Sequence, residues 1–249
     1  MFGNPLLDVA ICGGAARFLI GPFAVRFTNS AAAHPRMLPI PAEQVPPDVR
    51  VPLLSAESQI RALGFESVGY VHMQANMPNV DTYFVYLLNR STRTRALAAH
   101  MATATKSVGY IGFYNVFSDD SELNTINSKT AGAFKPDPER PAFHFPSVQD
   151  PGTLLKIHSR LLQERAALKT SVLPTQGREL DAMIQNWNRT FQRQVQLGYY
   201  YLDAPADRYR PTMFGAIAMT WKLAWPVGMI RAWFAKNRGE SQLRRLGVA

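Results

Sequence analysis

The residues of this chain that could carry chemistry are five histidines and one run of acidic side chains. No histidine has a second histidine three or four residues away; the five are His34, His72, His100, His144 and His158. A helical metal site needs two ligands on one face, so this spacing predicts no metal site. The single cysteine, Cys12, excludes an intrachain disulfide and a thiolate zinc site. The sequence therefore predicts neither a metal nor a cofactor.

His158 is the histidine whose neighbours say most about its role. On a helix it shares one face with four leucines: Leu154, Leu155, Leu161 and Leu162. A histidine on an apolar face is more often a hydrogen-bonded core residue than a base, so we expect a core position. The alternative is a ligand pocket in the concavity of a sheet, with four candidate lining residues: Tyr70, Tyr83, Tyr110 and His158.

Three acids lie within residues 118–122, which read Ser-Asp-Asp-Ser-Glu. Held in a cleft, these carboxylates could bind a cation or activate water. Asp and Ser also satisfy the backbone of a tight turn with their own side chains. The composition therefore favours a hairpin turn over a catalytic cluster.

Two glycine-containing stretches match nucleotide-binding motifs only in part. Residues 8–16 lack the third glycine and the downstream acid of a dinucleotide-binding unit. Residues 107–113 carry the aromatics of an RNA-binding strand, but Lys106 is the only cation nearby. The sequence also lacks a nucleophile elbow and a phosphate loop, which favours a protein that is not an enzyme.

Alternating apolar residues predict five strands separated by turn-forming clusters, at 66–74, 82–89, 95–103, 107–117 and 122–127. Both alternating faces of the second and fourth are apolar, so these strands should be covered on both sides. Helical spacing follows at 153–168 and 179–197, and we expect these helices to cover one face of the sheet. The predicted fold is α+β: an antiparallel β-meander of four to five strands packed with helices, plus an apolar, basic C-terminal helical segment.

Composition divides the chain into three predicted regions. Residues 1–54 join an apolar N-terminal segment to a stretch with six prolines between His34 and Pro52, which favours an extended linker. The N-terminal segment is interpreted as a second hydrophobic element, with a cleaved signal peptide as the alternative. Residues 55–207 form the α+β domain, which opens on a helix capped by Ser55. Residues 208–249 form a basic amphipathic tail.

The tail carries eight Lys or Arg and one acid, which is +7 of the chain's formal +9. Its segment 213–235 is apolar and contains three tryptophans, and indole rings with snorkelling cations are typical of the lipid headgroup region. A charge in mid-membrane costs about 2.5 to 3.5 kcal/mol, and proline breaks a helix. Lys222 and Pro226 therefore argue against a simple crossing. We expect the tail to lie in the interface plane, or to dip in and return.

Eight tail residues are candidates for membrane contact: Trp221, Lys222, Trp225, Arg231, Trp233, Phe234, Lys236 and Arg238. They predict an anionic membrane surface as the partner and the cytoplasmic face of the membrane as the location. Two alternatives stay open for the same segment, namely core contacts of a terminal helix and a groove on a partner protein. Nucleic acid is disfavoured, because the basic residues alternate with apolar residues rather than with polar ones.

Four short pieces occur in an order that resembles a loose group of functionally uncharacterised bacterial proteins. They are the Leu-Gly-Phe at 63–65, and residues 117–125, 155–158 and 215–226. The resemblance covers about residues 55 to 247. It implies a meander that begins at Leu-Gly-Phe and a basic C-terminal segment, and it carries no catalytic residues onto this chain.

Two functions are expected from these features. The first is a membrane-associated protein, peripheral or monotopic, that binds or scaffolds. The alternative is a small-molecule or lipid-binding domain, or an enzyme, with its site in the sheet concavity and a small apolar ligand.

Overall fold

The computed structural model describes residues 18–77, 80–102, 107–128, 134–223, 234, 237 and 239–247. Within these residues the chain is α+β, as the sequence predicts. A large, mostly antiparallel sheet has helices on both faces, and a small sheet adjoins it.

Eleven strands form the two sheets of the described residues. In chain order they are β1 (Ala31–Ala32), β2 (Arg36–Ile40), β3 (Glu66–Met77), β4 (Val80–Asn89), β5 (Thr94–Ala102), β6 (Ser107–Phe117), β7 (Glu122–Ile126), β8 (Ala142–His144), β9 (Ser171–Val172), β10 (Tyr200–Asp203) and β11 (Arg208–Pro211). The main sheet runs β2-β3-β4-β5-β6-β7-β8, with β9 paired to the end of β6, and the small sheet runs β1-β11-β10. The pair β7 and β8 is parallel, whereas the pairs along the meander are antiparallel.

The five predicted strands are confirmed as β3 to β7. The expected total of four to five strands is wrong, because the main sheet has eight. The missed strands are β2, β8 and β9, and the last two contain three and two residues, which is too short for a readable alternation. In addition, β2 contains Pro39 within the stretch interpreted as a linker. Pro39 is compatible with a strand here because β2 lies at the edge of the sheet.

The described helices are α1 at 18–28, α2 (Pro47–Arg61), α3 (Pro151–Arg165), α4 (Glu179–Gln196), α5 (Met213–Leu223) and α6 at 239–245. A 3-10 turn at Ala42–Gln44 precedes α2. Helix α2 begins at Pro47 rather than at Ser55, so the proline-rich stretch is a linker only in part. Proline suits the first helical position, where the backbone N–H has no partner within the helix.

Helices α2 and α3 cover one face of the main sheet, and α4 covers the other. Leu53 of α2 and Ile157 of α3 share a core with Val85 of β4. Met183 of α4 packs against the core that contains the next residue of β4, Phe84. The expectation that the two predicted helices cover the same face is therefore wrong. Both faces of β4 are apolar, so each face needs its own cover, and the predicted double coverage of this strand is confirmed.

The C-terminal region makes close contacts with the rest of the fold where the structure describes it. Strand β11 pairs with β10, so the boundary placed at residue 208 falls inside a hairpin. After α6, Leu246 is buried in the core beneath α2 and α3, and Leu243 packs against the same core. These described parts of residues 208–249 therefore contact the small sheet and the core beneath α2 and α3.

Gly215 allows α5 to approach the chain beside β10. A Cβ at this position would lie 2.1 Å from the carbonyl oxygen of Tyr199. We expect Gly215→Ala to push α5 away and to lower the free energy of unfolding by about 1 to 3 kcal/mol, measured by urea denaturation. The matched control is Gly152→Ala in α3, where the nearest heavy atom would be 3.4 Å away. Equal effects of the two substitutions would contradict the close-contact argument.

Candidate functional site

The four candidate pocket residues do not come together at one site. Tyr70, Tyr83 and His158 lie on the face of the main sheet that α2 and α3 cover. Tyr110 packs on the opposite face with the core under α4. A single concavity lined by all four side chains is therefore absent from this arrangement.

His158 is a fully buried core residue, with 0% of its surface exposed. Its Nδ1 lies 2.9 Å from the hydroxyl of Thr125, and its Nε2 lies 2.8 Å from Oδ1 of Asn115. The amide nitrogen of Asn115 donates to the carbonyl of Arg93 and to the hydroxyl of Ser171, which leaves Oδ1 as the acceptor. His158 therefore donates through Nε2–H and accepts at Nδ1. Burial lowers the pKa of His158 to about 3, which keeps the ring neutral.

Tyr70 and Tyr83 also have partners within the fold. The hydroxyl of Tyr70 donates to the carboxylate of Glu57 in α2, and burial together with this acid raises the pKa of the phenol. The ring of Tyr83 stacks on that of His72, with centroids 4.3 Å apart. Both side chains tie neighbouring elements together.

Residues 118–121 of the acidic run form the turn between β6 and β7, as predicted, and Glu122 is the first residue of β7. Asp119 accepts hydrogen bonds from the backbone N–H and the hydroxyl of Ser121. Lys169 lies 2.8 Å from the same carboxylate, and Arg189 lies 2.6 Å from Asp120. Within the residues that the structure describes, no group of three or more His, Cys, Asp or Glu side chains could hold a metal ion.

Helix α1 turns an apolar face outward. Five residues on this face are exposed: Leu19, Ile20, Phe23, Ala24 and Phe27. At 3.6 residues per turn they fall within about 140° of one another around the helix. A surface helix ordinarily places its polar side towards water, whereas Phe27 of α1 is 72% exposed. Helix α1 is therefore apolar on its exposed side as well as on the side where Val25 packs against the core of the small sheet.

Helix α5 carries a second exposed apolar stripe. Phe214, Ile217 and Trp221 follow one another at intervals of three and four residues, and Trp221 is 53% exposed. The opposite side of the helix, with Ala216 and Met219, is buried against the small sheet. The stripe of α5 thus has no cover among the described residues.

Helices α1 and α5 pack directly against each other. A Cβ at Gly21 would lie 2.7 Å from the methyl carbon of Thr220, so only glycine fits this approach without a shift. The rings of Phe18 and Trp221 meet edge to face, with centroids 6.2 Å apart. We refer to the exposed residues of this pair as the apolar surface: Leu19, Ile20, Phe23, Phe27, Phe214, Ile217 and Trp221.

A shallow depression of about 390 Å³ lies between α1, the small sheet and the start of α5. Phe23, Phe27 and Met213 supply its apolar lining. Arg26 stands over the ring of Tyr201 at 5.9 Å, and Arg210 pairs with Asp203 at 2.7 Å. The depression therefore combines exposed aromatic rings with basic side chains.

The predicted membrane-contact residues fall into three groups. Trp221 and Phe234 are exposed, as contact with lipid would require. Lys222 donates a 2.9 Å hydrogen bond to the carbonyl of Phe134, and its ammonium lies 4.9 Å from the ring centre of Tyr199. Five candidates lie outside the described residues: Trp225, Arg231, Trp233, Lys236 and Arg238. No helix in the described part of the chain has both the length and the apolar composition needed to span a membrane.

The residues of α1 were missed as individual candidates, although the sequence contained a signal for them. The apolar run from Pro5 to Phe27 suggests a hydrophobic element but does not tell which side of a helix is covered. The contact between Gly21 and Thr220, which is remote in the sequence, determines which side of α1 is covered. Comparison with known proteins adds no candidate residues: no family model, curated protein or solved structure matches this chain.

Proposed function

We propose that this protein binds peripherally to an anionic membrane surface, at the cytoplasmic leaflet, through the apolar surface of α1 and α5. The observation that carries the proposal is the exposed apolar face of α1, which extends from Leu19 to Phe27. A helix with this pattern gains free energy when its outward face enters an apolar phase. Binding or scaffolding at that surface is the proposed role.

The number of exposed apolar side chains supports membrane binding energetically. Full burial of one Leu, Ile or Phe side chain is worth about 1.5 to 3 kcal/mol. Partial immersion of the seven residues of the apolar surface would then contribute on the order of 5 to 10 kcal/mol before the cost of immobilising the protein. This is comparable to the contribution of a lipid anchor.

The sequence next to both helices favours lipid over a partner protein as the occupant. Residues 9–16 and 224–235 add further apolar side chains, including Trp225 and Trp233. Cations accompany them in the sequence at Arg231 and Lys236. Aromatic rings and cations in alternation suit the headgroup layer of an anionic membrane, where each cation is worth about 1 kcal/mol.

Flotation of the full-length protein with vesicles tests the proposal. We expect binding to vesicles that contain phosphatidylserine, weaker binding to vesicles of phosphatidylcholine alone, and weaker binding at high salt because added ions screen the charges. Failure to float with anionic vesicles at low salt would contradict the proposal. Concentration-dependent dimerisation without flotation would instead make the apolar surface a contact between two copies of the chain.

A triple substitution tests whether α1 supplies the contact. Ile20→Gln, Phe23→Gln and Phe27→Gln together should lower the vesicle partition constant about 100-fold, because three large apolar side chains are lost from the interface. The matched control replaces three exposed apolar residues elsewhere by glutamine: Val51, Leu54 and Leu168. The control should float like the wild type, and circular dichroism should verify that both variants are folded.

A further inference from the structure

A second surface feature of the described structure is a groove of about 310 Å³ between α4 and one end of the main sheet. The sheet contributes Arg95 and Val116, the segment after β9 contributes residues 173–175, and the first half of α4 contributes the other wall. The groove shares no lining residue with the apolar surface.

Arg95 is the unusual residue of this groove. Arg95 is only 4% exposed, although an arginine is rarely buried without an acid to pair with. Within the described part of the chain no carboxylate lies within 4.0 Å of its guanidinium. The two buried glutamates on this face of the sheet have other partners, because Glu122 pairs with Arg140 and Glu179 pairs with Arg90.

The hydrogen-bonding capacity of Arg95 is largely unused. A guanidinium has five N–H bonds. Nη2 of Arg95 donates to the carbonyl of Val172 at 3.0 Å, and the guanidinium carbon lies 5.8 Å from the ring centre of Tyr114. Nε is buried without a partner. The buried hydroxyl of Tyr86 lies near the guanidinium and near the hydroxyl of Tyr114, and Tyr86 does not line the groove. Among the described residues, the guanidinium of Arg95 thus has more N–H donors than hydrogen-bond acceptors.

The other charges of the groove are already neutralised. Arg189 lies 2.6 Å from Asp120, and Arg178 lies 3.8 Å from Asp181. Three arginines and two aspartates line the groove, so the balance is one positive charge, and it belongs to Arg95. Helix α4 also begins here, and its first turn carries Glu179 and Asp181, which pair with Arg90 and Arg178.

From this geometry we propose that the groove binds a small molecule through an oxyanion group, a phosphate or a carboxylate. The planar fork of Arg95 matches two oxygens of such a group. An oxyanion would pair with the charge of Arg95 and accept hydrogen bonds from its unused N–H groups. The remaining volume, lined by Gln185, Asn186 and Thr175, accommodates the polar body of the molecule.

Calorimetric titration of the full-length protein tests this assignment, with inorganic phosphate and succinate as probes at constant ionic strength. We expect saturable binding of at least one probe by the wild type. Arg95→Met, which keeps the aliphatic length and removes the charge, should weaken that binding about 10-fold or more. The matched control is Arg36→Met on the exposed edge strand β2, which should bind like the wild type.

Two further measurements keep the test decisive if Arg95→Met fails to fold. Arg95→Lys keeps the positive charge and removes the planar fork, so it should weaken binding several-fold in a folded protein. Titration of labelled wild-type protein should shift the backbone NMR signals of residues 172–175 and of the first half of α4. Absence of saturable binding by either probe, or shifts confined to other regions, would overturn the proposal.

Vesicle flotation of Arg95→Met separates this inference from membrane binding. Unchanged flotation together with lost phosphate binding assigns the groove to a soluble anion. Loss of both on vesicles that carry phosphate headgroups assigns the oxyanion to a lipid. Either result supports the oxyanion site. If the Arg95→Met variant binds phosphate like the wild type, the proposal is refuted.

Discussion

Glu122→Ala is expected to lower the free energy of unfolding by about 3 to 5 kcal/mol, because it leaves a buried cation without its acid. The side chains of Glu122 and Arg140 are 7% and 8% exposed, and they form a salt bridge beneath α4. Asn186 donates to the same carboxylate oxygen at 2.9 Å, and Asn124 donates to the other oxygen at 2.5 Å. Removal of the carboxylate therefore disrupts a connected network.

An exposed pair provides the matched control for this substitution. Glu164 of α3 pairs with Arg245 at 2.6 Å, and their side chains are 42% and 55% exposed. Water already solvates both charges, so Glu164→Ala should cost about 1 kcal/mol or less. Urea denaturation at neutral pH measures both. Similar losses would mean that burial does not set the contribution of the Glu122–Arg140 pair.

A double substitution distinguishes two causes of the lost stability: an unpaired buried charge and the loss of packing. Glu122→Met combined with Arg140→Met removes both charges and keeps apolar volume between β7 and α4. We expect the double variant to be more stable than Glu122→Ala, because no unpaired charge is left inside. A double variant less stable than the single one would show that the polar network itself stabilises the fold.

Acid should destabilise the protein through His158. In the unfolded chain this histidine titrates near pH 6.5, whereas burial lowers its folded pKa to about 3. Between these values the unfolded state binds a proton that the folded state does not bind. The stability that the neutral ring contributes is therefore complete above about pH 6.5 and is lost as the pH falls towards 3, at up to about 1.4 kcal/mol per pH unit.

His158→Gln isolates this contribution from that of the acidic residues. Glutamine does not titrate, and it retains a donor and an acceptor for Asn115 and Thr125. At pH 7 the variant should be less stable by about 1 to 3 kcal/mol, since its hydrogen bonds fit less well. The difference from the wild type should shrink as the pH is lowered from 6.5 to 4. Parallel stability curves over this range would refute the neutral, buried state of His158.

Helix α4 links the two candidate functional regions. Phe191 packs into the core of the small sheet and stacks on Tyr209 with ring centroids 4.7 Å apart. Earlier in the same helix, Asp181 and Asn186 line the groove that contains Arg95. Helix α4 therefore packs against the small sheet that supports the apolar surface and also forms one wall of the groove.

Several elements could be predicted from the sequence because their signal is local. Strand β6 begins and ends at the predicted residues, Ser107 and Phe117, and α4 begins at the predicted Glu179. Each has an apolar pattern that persists through ten or more residues, so one periodicity clearly exceeds the others. The turn at 118–121 was also predictable from a local signal, because the side chain of Asp119 accepts a hydrogen bond from the backbone N–H of Ser121.

Other elements depend on partners that are distant in the sequence. Strand β9 has two residues and exists because it pairs with the end of β6, more than fifty positions earlier. The proline-rich stretch contains an edge strand and the start of α2, because Met37 and Val49 are buried by the main sheet and its cover. Local propensity disfavours both elements, and tertiary packing overrides it.

The sequence by itself determined the meander, its main helices and the presence of apolar, basic segments, because alternation and charge are properties of neighbouring residues. The tertiary structure decided which side of α1 meets water, through the contact of Gly21 with Thr220. It also decided that Arg95 is enclosed without an acid, beside a carbonyl 77 positions away. Burial and charge pairing depend on which distant elements pack together, so both candidate functional regions emerge only in the folded chain.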